Sequence, residues 1–595
     1  MSLIKTNQVQ LGQSGTATQN FTLAVPSPAN GTVKLARGNA GATTQDVLTV
    51  DANGNINGNV LATGTTFARN LATRAADVIN VKDFGAIGDG ATNDTAAIQA
   101  AIDYASLQGG GIVFMPEGIY SVTATASLET FQGKDSLGNT FTIPAGSCAL
   151  LLRNKVYLTG SGMNCTTISL PINTQLEGIF VTSSPGGYGI SDLTINGNWD
   201  QVAATNSHGV FYVTQTIAGE ANTIFANGKI KNVRIHNFSS YGLGLQYGTF
   251  TNNIFDSVIV ENVGADGIDA KNHNNNNSGN KIINAIISAF GLRTSLVGQS
   301  GIGLRGTGWS VISPVITNFG RLDTFLTGIR LEAGSANNGL GATNSFVKTF
   351  TINSITSTSR GIEVNNSNNI IESGTISNCD LGVFVKENEL SETENVIVSN
   401  VITNNTTAGF VTENNFVFRS AFTCCTSIDS TSGFQLRGVD EKITSCSTEN
   451  VTTPLSVSGM SGTAIRPIIT ASPSLLKEQI APSFLSREPI SISNDTAVFV
   501  TTGASGGYRM GMITTDSAGA GQPLNLFAFR PTASPQCTNI ATIVATTNVV
   551  FTTGVLTGTT GSIGDFTISA VSGGLYLENR TGVSKTIRLT FFGFA

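Results

Sequence analysis

The sequence predicts an all-β chain whose middle is a solenoid of short strands, with a small β module before it and a β-sandwich after it. Three observations carry this expectation. Only 12% of the 595 residues are charged against 40% apolar, and 67 glycines outnumber 15 prolines, a composition of short strands joined by tight polar turns. Single cores stop growing at roughly 250 to 300 residues, so a chain this long divides or repeats. Finally, a glycine followed by an apolar alternation recurs at Gly178, Gly209, Gly242, Gly267, Gly301, Gly328, Gly361, Gly382, Gly409 and Gly433, about 28 residues apart and within the range of solenoid repeats. The apolar content excludes charge-driven disorder. A net charge of −6 leaves no broad basic surface, so no nucleic-acid partner is expected.

Residues 1–60 read as a separate module with hairpin turns at Asn30-Gly31, Asn53-Gly54 and Asn57-Gly58. Met1 to Asn7 lack an apolar signal core and nowhere do 18 apolar residues run together, so neither a signal peptide nor membrane insertion is expected. Residues 61–79 turn alanine-rich and charged, and read as a helical neck. Seven cysteines, with the adjacent pair Cys424-Cys425 and no CxxC, read as free thiols made in a reducing cytoplasm. Neither metal nor cofactor is expected.

From Asn80 to Tyr120 the chain reads NVKDFGAIGDGATNDTAAIQAAIDYASLQGGGIVFMPEGIY. Asp94 is placed to cap a helix whose apolar face is Ile98, Ala101, Ile102 and Ala105, and Gly109 to end it. A strand, Ile112 to Met115, and a Pro116-Glu117-Gly118 turn follow. Gly85, Gly88 and Gly90 are ordered GxxGxG and lack the βαβ setting of a nucleotide loop.

This block resembles the N-terminal signature of the pectate-lyase-like superfamily of right-handed parallel β-helices, found in phage tailspikes and polygalacturonase-like proteins. The resemblance rests on Val81, Asp83 to Ala86, Gly88 to Gly90, Asp94, Thr95, Ala97, Ile98, Gly109 to Gly111, Pro116, Gly118 and Tyr120. It implies a right-handed parallel β-helix over residues 80–473, closed at its open end by the helix. The polar leader, the neck and the ending GGLYLENRTGVSKTIRLTFFGFA also look like those of tailspikes. That likeness implies a homotrimer held in a virion through an N-terminal attachment module on the phage baseplate or tail. Its partner would be a bacterial capsular polysaccharide or lipopolysaccharide O-antigen.

On such a solenoid the residues one and three after each ladder glycine point inward, and those two and four after it point outward. The first outward column is Phe180, Phe211, Gly244, Asp269, Gly303, Arg330, Glu363. The second is Thr182, Val213, Gln246, Lys271, Arg305, Glu332, Asn365. The column before the glycines is Glu177, His208, Tyr241, Asp266, Ser300, Thr327, Arg360. Small residues at Gly244 and Gly303 beside charged ones mark a groove. Asn237, Asn262, Asn318, Asn353, Asn378 and Asn404, with Ala289 on one rung, are expected to stack in a turn needing left-handed backbone. Cys379, Cys425 and Cys446 are expected near that turn as packed thiols.

Glycosidic hydrolysis needs a protonated carboxyl and an ionised one. Asp266-Gly267-Ile268-Asp269 resembles the DGID segment of polygalacturonases, which implies catalysis by Asp266, although no Asn-Thr precedes it and neither Asp-Asp nor Gly-His-Gly follows. Asp266 and Asp269 are the candidate acids, with Glu332 as a more distant acid candidate two rungs, on the order of 10 Å, from Asp269. The bland alternative for both aspartates is a turn-capping or solvated carboxylate. His208 and Tyr241, with Lys271 and Arg305 to neutralise a uronate, would instead suit β-elimination. His208, His236 and His273 are otherwise expected as surface histidines. Arg330 and Glu363 line the groove as substrate contacts, and Trp199 and Trp309 are candidates to stack on sugar rings, as are Tyr241 and Phe211. Gly503, Ser505 and Gly507 match GxSxG without a strand-to-helix elbow. Residues 474–595 lose the ladder and read as a β-sandwich for trimerisation or sugar binding. The functions expected are depolymerisation, hydrolytic before eliminative, or adhesion without cleavage.

Overall fold

A computed structural model describes residues 8–25, 31–40, 42–60, 64, 66–126, 130–134, 140–202, 205–215, 223–246, 248–270, 278–293, 295–296, 298–319, 326–333, 341–354, 358–387, 392–414, 416–457, 468–470, 485–486, 490–501, 509–516, 524–544 and 548–592. The middle of the chain is a right-handed parallel β-helix built on two long parallel sheets, one of twelve strands and one of twenty-two. One coil shows the plan. Ser300–Leu304 lies in the shorter sheet, Ser310–Ile312 and Val315–Thr317 lie in the longer one, and Thr327–Leu331 returns to the shorter sheet beside Ser300–Leu304. Among the described residues of this coil Gly306, Gly308, Ser313 and Asn318 have left-handed backbone, with φ of 80°, 74°, 54° and 51°.

The ladder glycines stack on successive rungs because the chain passes too close to itself for any side chain there. A Cβ on Gly301 would meet Gly328 O at 2.7 Å and Ile316 Cγ2 at 2.9 Å, and one on Gly328 would meet Gly361 O at 2.7 Å and Ile352 Cγ2 at 2.8 Å. The residues after the glycines pair in register as Ile268, Ile302, Ile329 and Ile362 and are fully buried. A continuous apolar core results, with each rung adding an aliphatic layer on the last.

The asparagine column is present with shifts. Asn237, Asn262, Asn318 and Asn378 are left-handed, as is Ala289, but on the later rung Asn405 takes that conformation and not Asn404. Asn353 ends a strand. Amides bond between rungs: Asn405 Nδ2 donates to Asn378 Oδ1 at 2.6 Å, and Asn378 Nδ2 to Asn353 Oδ1 at 2.8 Å. Only Cys379 adjoins this corner. Cys425 and Cys446 follow left-handed Cys424 and Ser445 at the corner inside the longer sheet, where the Cys425 N–H donates to Cys446 Sγ at 3.3 Å.

At the N-terminal end of the solenoid, helix Thr95–Leu107 buries Ile98, Ala101, Ile102 and Ala105. Its Gln99 side chain accepts from Leu151 N at 2.8 Å and donates to Leu151 O at 3.1 Å, pairing a backbone edge that has no rung below it. Asp94 is the N-cap residue but makes no side-chain cap bond. Its carboxylate turns back to accept from Ile87 N at 2.7 Å and Gly88 N at 3.1 Å, fixing the glycine loop.

Before the solenoid, strands between Gln8 and Asn70 form a six-stranded antiparallel sheet. Asn53-Gly54 turns one hairpin, whereas Asn57-Gly58 lies within strand Ile56–Val60; Asn30 lies outside the described residues. Among the described residues of the neck region there is one short helix, Leu71–Ala75. After the solenoid, two sheets share a core of Ile513, Phe527, Phe566, Leu577 and Leu589, the expected sandwich. Gly503, Ser505 and Gly507 lie outside the described residues. Among the described residues no helix is long and apolar enough to cross a membrane.

Candidate active site

The shorter sheet turns its apolar column inward, so its alternate residues form the outer face. Register pairs Phe180 with Phe211, Phe211 with Gly244, Gly244 with Asp269, Asp269 with Gly303, Gly303 with Arg330, and Arg330 with Glu363. This is the first outward column in the predicted order. Its beginning is covered: the hairpin Phe131–Lys134 and Thr140–Ile143 packs Phe131 and Ile143 onto Phe180 and Phe211. Phe211 is thus 1% exposed and its face is not open to a sugar.

Beyond the hairpin the face is polar. Asp269 is fully buried and its Oδ2 accepts from Gln246 Nε2 at 2.7 Å. Glu332 is ion-paired with Arg305, both side chains being 10% exposed. Between the two acids stands Gly303. A Cβ there would lie 3.0 Å from Glu332 Oε1 and 3.6 Å from Asp269 Oδ1, so the two carboxylates face one gap beside Gly303 that even a methyl group would crowd. Rung spacing alone places Asp269 and Glu332 on the order of 10 Å apart; the Glu332 side chain reaches back toward Asp269 and shortens that span.

Next along the column, Glu363 accepts from Arg360 Nη1 and from Asn365 Nδ2 at 2.9 Å, with Arg330 Nε 3.6 Å away. Burial acts to raise its carboxyl, but Arg330 and Arg360 outweigh it and hold the group below its ordinary value. Arg330 also donates from Nη2 to Thr327 Oγ1 at 2.9 Å and from Nη1 to Gly298 O.

The column before the glycines holds two carboxylates in one role. Glu177 Oε2 accepts the backbone N–H of His208 at 2.7 Å, and Asp266 Oδ1 accepts the backbone N–H of Ser300. Each bonds the next rung beside the ladder glycine, whose own N–H donates to the carbonyl of that same next-rung residue, which is the capping alternative for Asp266. Glu177 Oε2 also meets His208 Nδ1 at 2.7 Å. The His208 ring is stacked between Phe211 at 4.4 Å and Tyr241 at 4.9 Å. His208 is 4% exposed, which corrects the surface expectation. His236 lies on the longer sheet, beside Glu261 in register, and burial with nearby Arg234 pushes its imidazole down.

Two further expectations fail. Trp309 is 1% exposed inside the solenoid, its Nε1 donating to Arg305 O at 2.9 Å, and Trp199 is 4% exposed; neither presents a ring to a sugar. Lys271 and His273 lie outside the described residues. Glu177, Gln246, Arg360 and Asn365 join the site although the sequence marked them only as members of the columns flanking the ladder glycines. Among the described residues no three His, Cys, Asp or Glu side chains are grouped to hold a metal ion.

Comparison with known proteins follows the first half of this architecture. The family model described as "Rhamnogalacturonase A/epimerase, pectate lyase-like" matches residues 78–302. Alginate lyase 7 of Azotobacter vinelandii is 39% identical over 194 residues, 32% of this chain and 20% of that protein. Mannuronan C5-epimerase AlgE3 of the same organism is 36% identical over 199 residues, 32% of this chain and 10% of that protein. The chain therefore spans a fifth or less of the length of these two relatives. The solved A-module of Azotobacter vinelandii mannuronan C-5 epimerase AlgE6 aligns with a TM-score of 0.43 and 19% identity over 66% of this chain and 98% of that one. The likeness is thus to the pectate-lyase-like family, over residues 78–302.

Proposed function

We propose that this chain is a polysaccharide depolymerase of the phage-tailspike kind, which binds a bacterial capsule or O-antigen and cuts it within the chain by glycosidic hydrolysis. The observation that carries the chemistry is the carboxylate pair Asp269 and Glu332 facing one gap at Gly303. Hydrolysis requires one carboxyl to protonate the leaving oxygen and a carboxylate to activate water or attack the anomeric carbon. Glu332, ion-paired with Arg305, acts as the carboxylate. Asp269, enclosed and held by Gln246, acts as the proton donor. Arg330 and Glu363 continue the groove as substrate contacts. Homotrimeric assembly and attachment to a virion through residues 1–60 belong to the same proposal and rest on the resemblance of the polar leader, the neck and the C-terminal ending to those of tailspikes.

A second reading is β-elimination from a uronate, favoured by the His208 imidazole that Glu177 orients and Tyr241 covers, and by the similarity to a protein named alginate lyase. Incubating the protein with purified capsule, O-antigen and alginate, while following polymer size, reducing ends and unsaturated-uronate absorbance, separates the outcomes. New reducing ends without absorbance support hydrolysis. Absorbance with shortening supports elimination, and binding without shortening leaves an adhesin.

A further inference from the structure

One corner of the longer sheet repeats a left-handed residue on successive coils, at Asn284, Ser313, Thr349, Ser373, Asn400, Cys424 and Ser445. The positions that follow stack as Ala285, Pro314, Phe350, Gly374, Val401, Cys425 and Cys446. Packing at this column accepts an aliphatic, an aromatic or no side chain, so it does not call for sulfur. Yet the two cysteines are consecutive. Thr426 pairs with Ser447 in register, which sets Cys425 and Cys446 side by side on neighbouring rungs. Rung spacing puts their Cα atoms about 4.8 Å apart, inside the window of roughly 4.4–6.8 Å that a disulfide spans.

Both cysteines are buried free thiols. The Cys425 N–H donates to Cys446 Sγ at 3.3 Å, and Cys446 Sγ meets Phe422 O, on the Cys425 rung, at 3.4 Å. The Cys446 sulfur therefore leans toward its neighbour. Hydrogen bonding from the Cys425 thiol, with help from the Cys425 backbone, draws the Cys446 thiol below its ordinary value, and the same contact together with burial pushes Cys425 up. One sulfur is thus the better nucleophile while the other keeps its proton.

We propose that Cys425 and Cys446 are a site of oxidative modification that peroxide closes into a disulfide between neighbouring rungs. The Cys446 sulfur attacks hydrogen peroxide and breaks its O–O bond, giving a sulfenic acid and water. The Cys425 sulfur then displaces the sulfenic oxygen, which leaves as a second water with the Cys425 proton. One peroxide is reduced and two thiols are oxidised. From Cys425 to Cys446 the chain makes a single coil through Ser432–Leu436 in the shorter sheet. The link turns that coil into a closed covalent ring and restrains its unfolding. This site is independent of the chemistry proposed for the outer face.

The test uses the full chain carrying Cys424→Ser, which removes the exposed neighbouring thiol and places serine where Ser445 already takes the left-handed conformation one rung on. After treatment with hydrogen peroxide, remaining thiols are alkylated in denaturant and the unreduced digest is analysed by mass spectrometry. Peptides carrying Cys425 and Cys446 should appear joined. The melting temperature of the treated chain should rise by several degrees and return with dithiothreitol. In the same background Cys425→Ala stops the reaction at its first step, so dimedone should label Cys446, whereas Cys446→Ala should leave Cys425 unlabelled. Absence of the joined peptide from the folded chain, or its formation only after unfolding, overturns the proposal. Labelling of Cys425 in place of Cys446 overturns the assignment of the attacking sulfur.

Discussion

Asp269 and Glu332 come from rungs two apart, yet both carboxylates converge on the vacant side-chain position of Gly303, at 3.6 Å and 3.0 Å from where a Cβ would stand. The gap exists because glycine interrupts a column that carries long polar side chains on either side. Filling it is the most direct test of the site. Gly303→Ala should leave the solenoid folded, because the nearest atoms to the new methyl belong to side chains, and should lower depolymerisation by at least tenfold. Reducing-end release from a cleaved polymer, read beside an unchanged melting curve, checks this.

Replacing the acids themselves should cost more. Asp269→Asn and Glu332→Gln are each expected to reduce turnover by roughly a hundredfold or more, the lower scale of acid-base catalysis, while binding of the polymer persists. Normal cleavage in both variants, with loss of activity in His208→Ala, would transfer the reaction to the Glu177–His208–Tyr241 stack.

Asp266 should behave differently from Asp269. Its carboxylate accepts the Ser300 N–H, and an asparagine oxygen can accept the same bond. Asp266→Asn is therefore expected to keep most activity and stability. Asp266→Ala leaves a buried N–H unpaired and should cost about 1–3 kcal/mol. Denaturant midpoints of the two variants distinguish capping from catalysis.

The solenoid was legible because its constraint is local and repeated: a glycine at each rung where a Cβ would strike the next carbonyl, then an inward aliphatic residue. That single column sets the register for every outward residue, so Asp269, Gly303, Arg330 and Glu363 fall in line as predicted. Reach was not legible. Glu332 is two rungs from Asp269 along the axis, but side-chain conformation and the pairing with Arg305 bring it to the Gly303 gap, and neither is encoded in spacing. Nor was cover legible. Trp309 sits between two outward-looking segments, yet its ring enters the interior at a corner, and Phe211 lies on the outer face only to be roofed by a hairpin from Phe131 to Ile143. The left-handed corner through Ser313 and Cys424 was missed because serine, threonine and cysteine share it with asparagine, which blurs the signal.

The ladder glycines yield a stability prediction. Gly301→Ala would force a methyl against Gly328 O and Ile316, and backbone cannot retreat without breaking the pairing of two rungs. A loss of about 1–3 kcal/mol is expected, the usual scale of overpacking, measured as a lower denaturant midpoint with unchanged slope.

A buried acid at the far end of the solenoid sets a pH dependence. Glu441 is fully buried, with Gly438 N donating to its Oε2 at 3.2 Å, and burial, only partly offset by Thr412 and Gly438, pushes its carboxyl up to about 8. The folded state then holds a proton that the unfolded chain, with an ordinary glutamate near 4.5, releases earlier. Stability from this group is fully present below about pH 4.5, declines as pH rises from there toward 8, and levels off above that value. The total is of the order of a few kcal/mol, because each tenfold change in proton affinity between the folded and unfolded chain corresponds to about 1.4 kcal/mol. Glu441→Gln, which keeps shape and hydrogen bonding without a titrating proton, should remove that decline. Melting temperatures of the two proteins should converge near pH 5 and separate by pH 8.5, the variant being the more stable, and parallel curves across this range would show that Glu441 does not carry the effect.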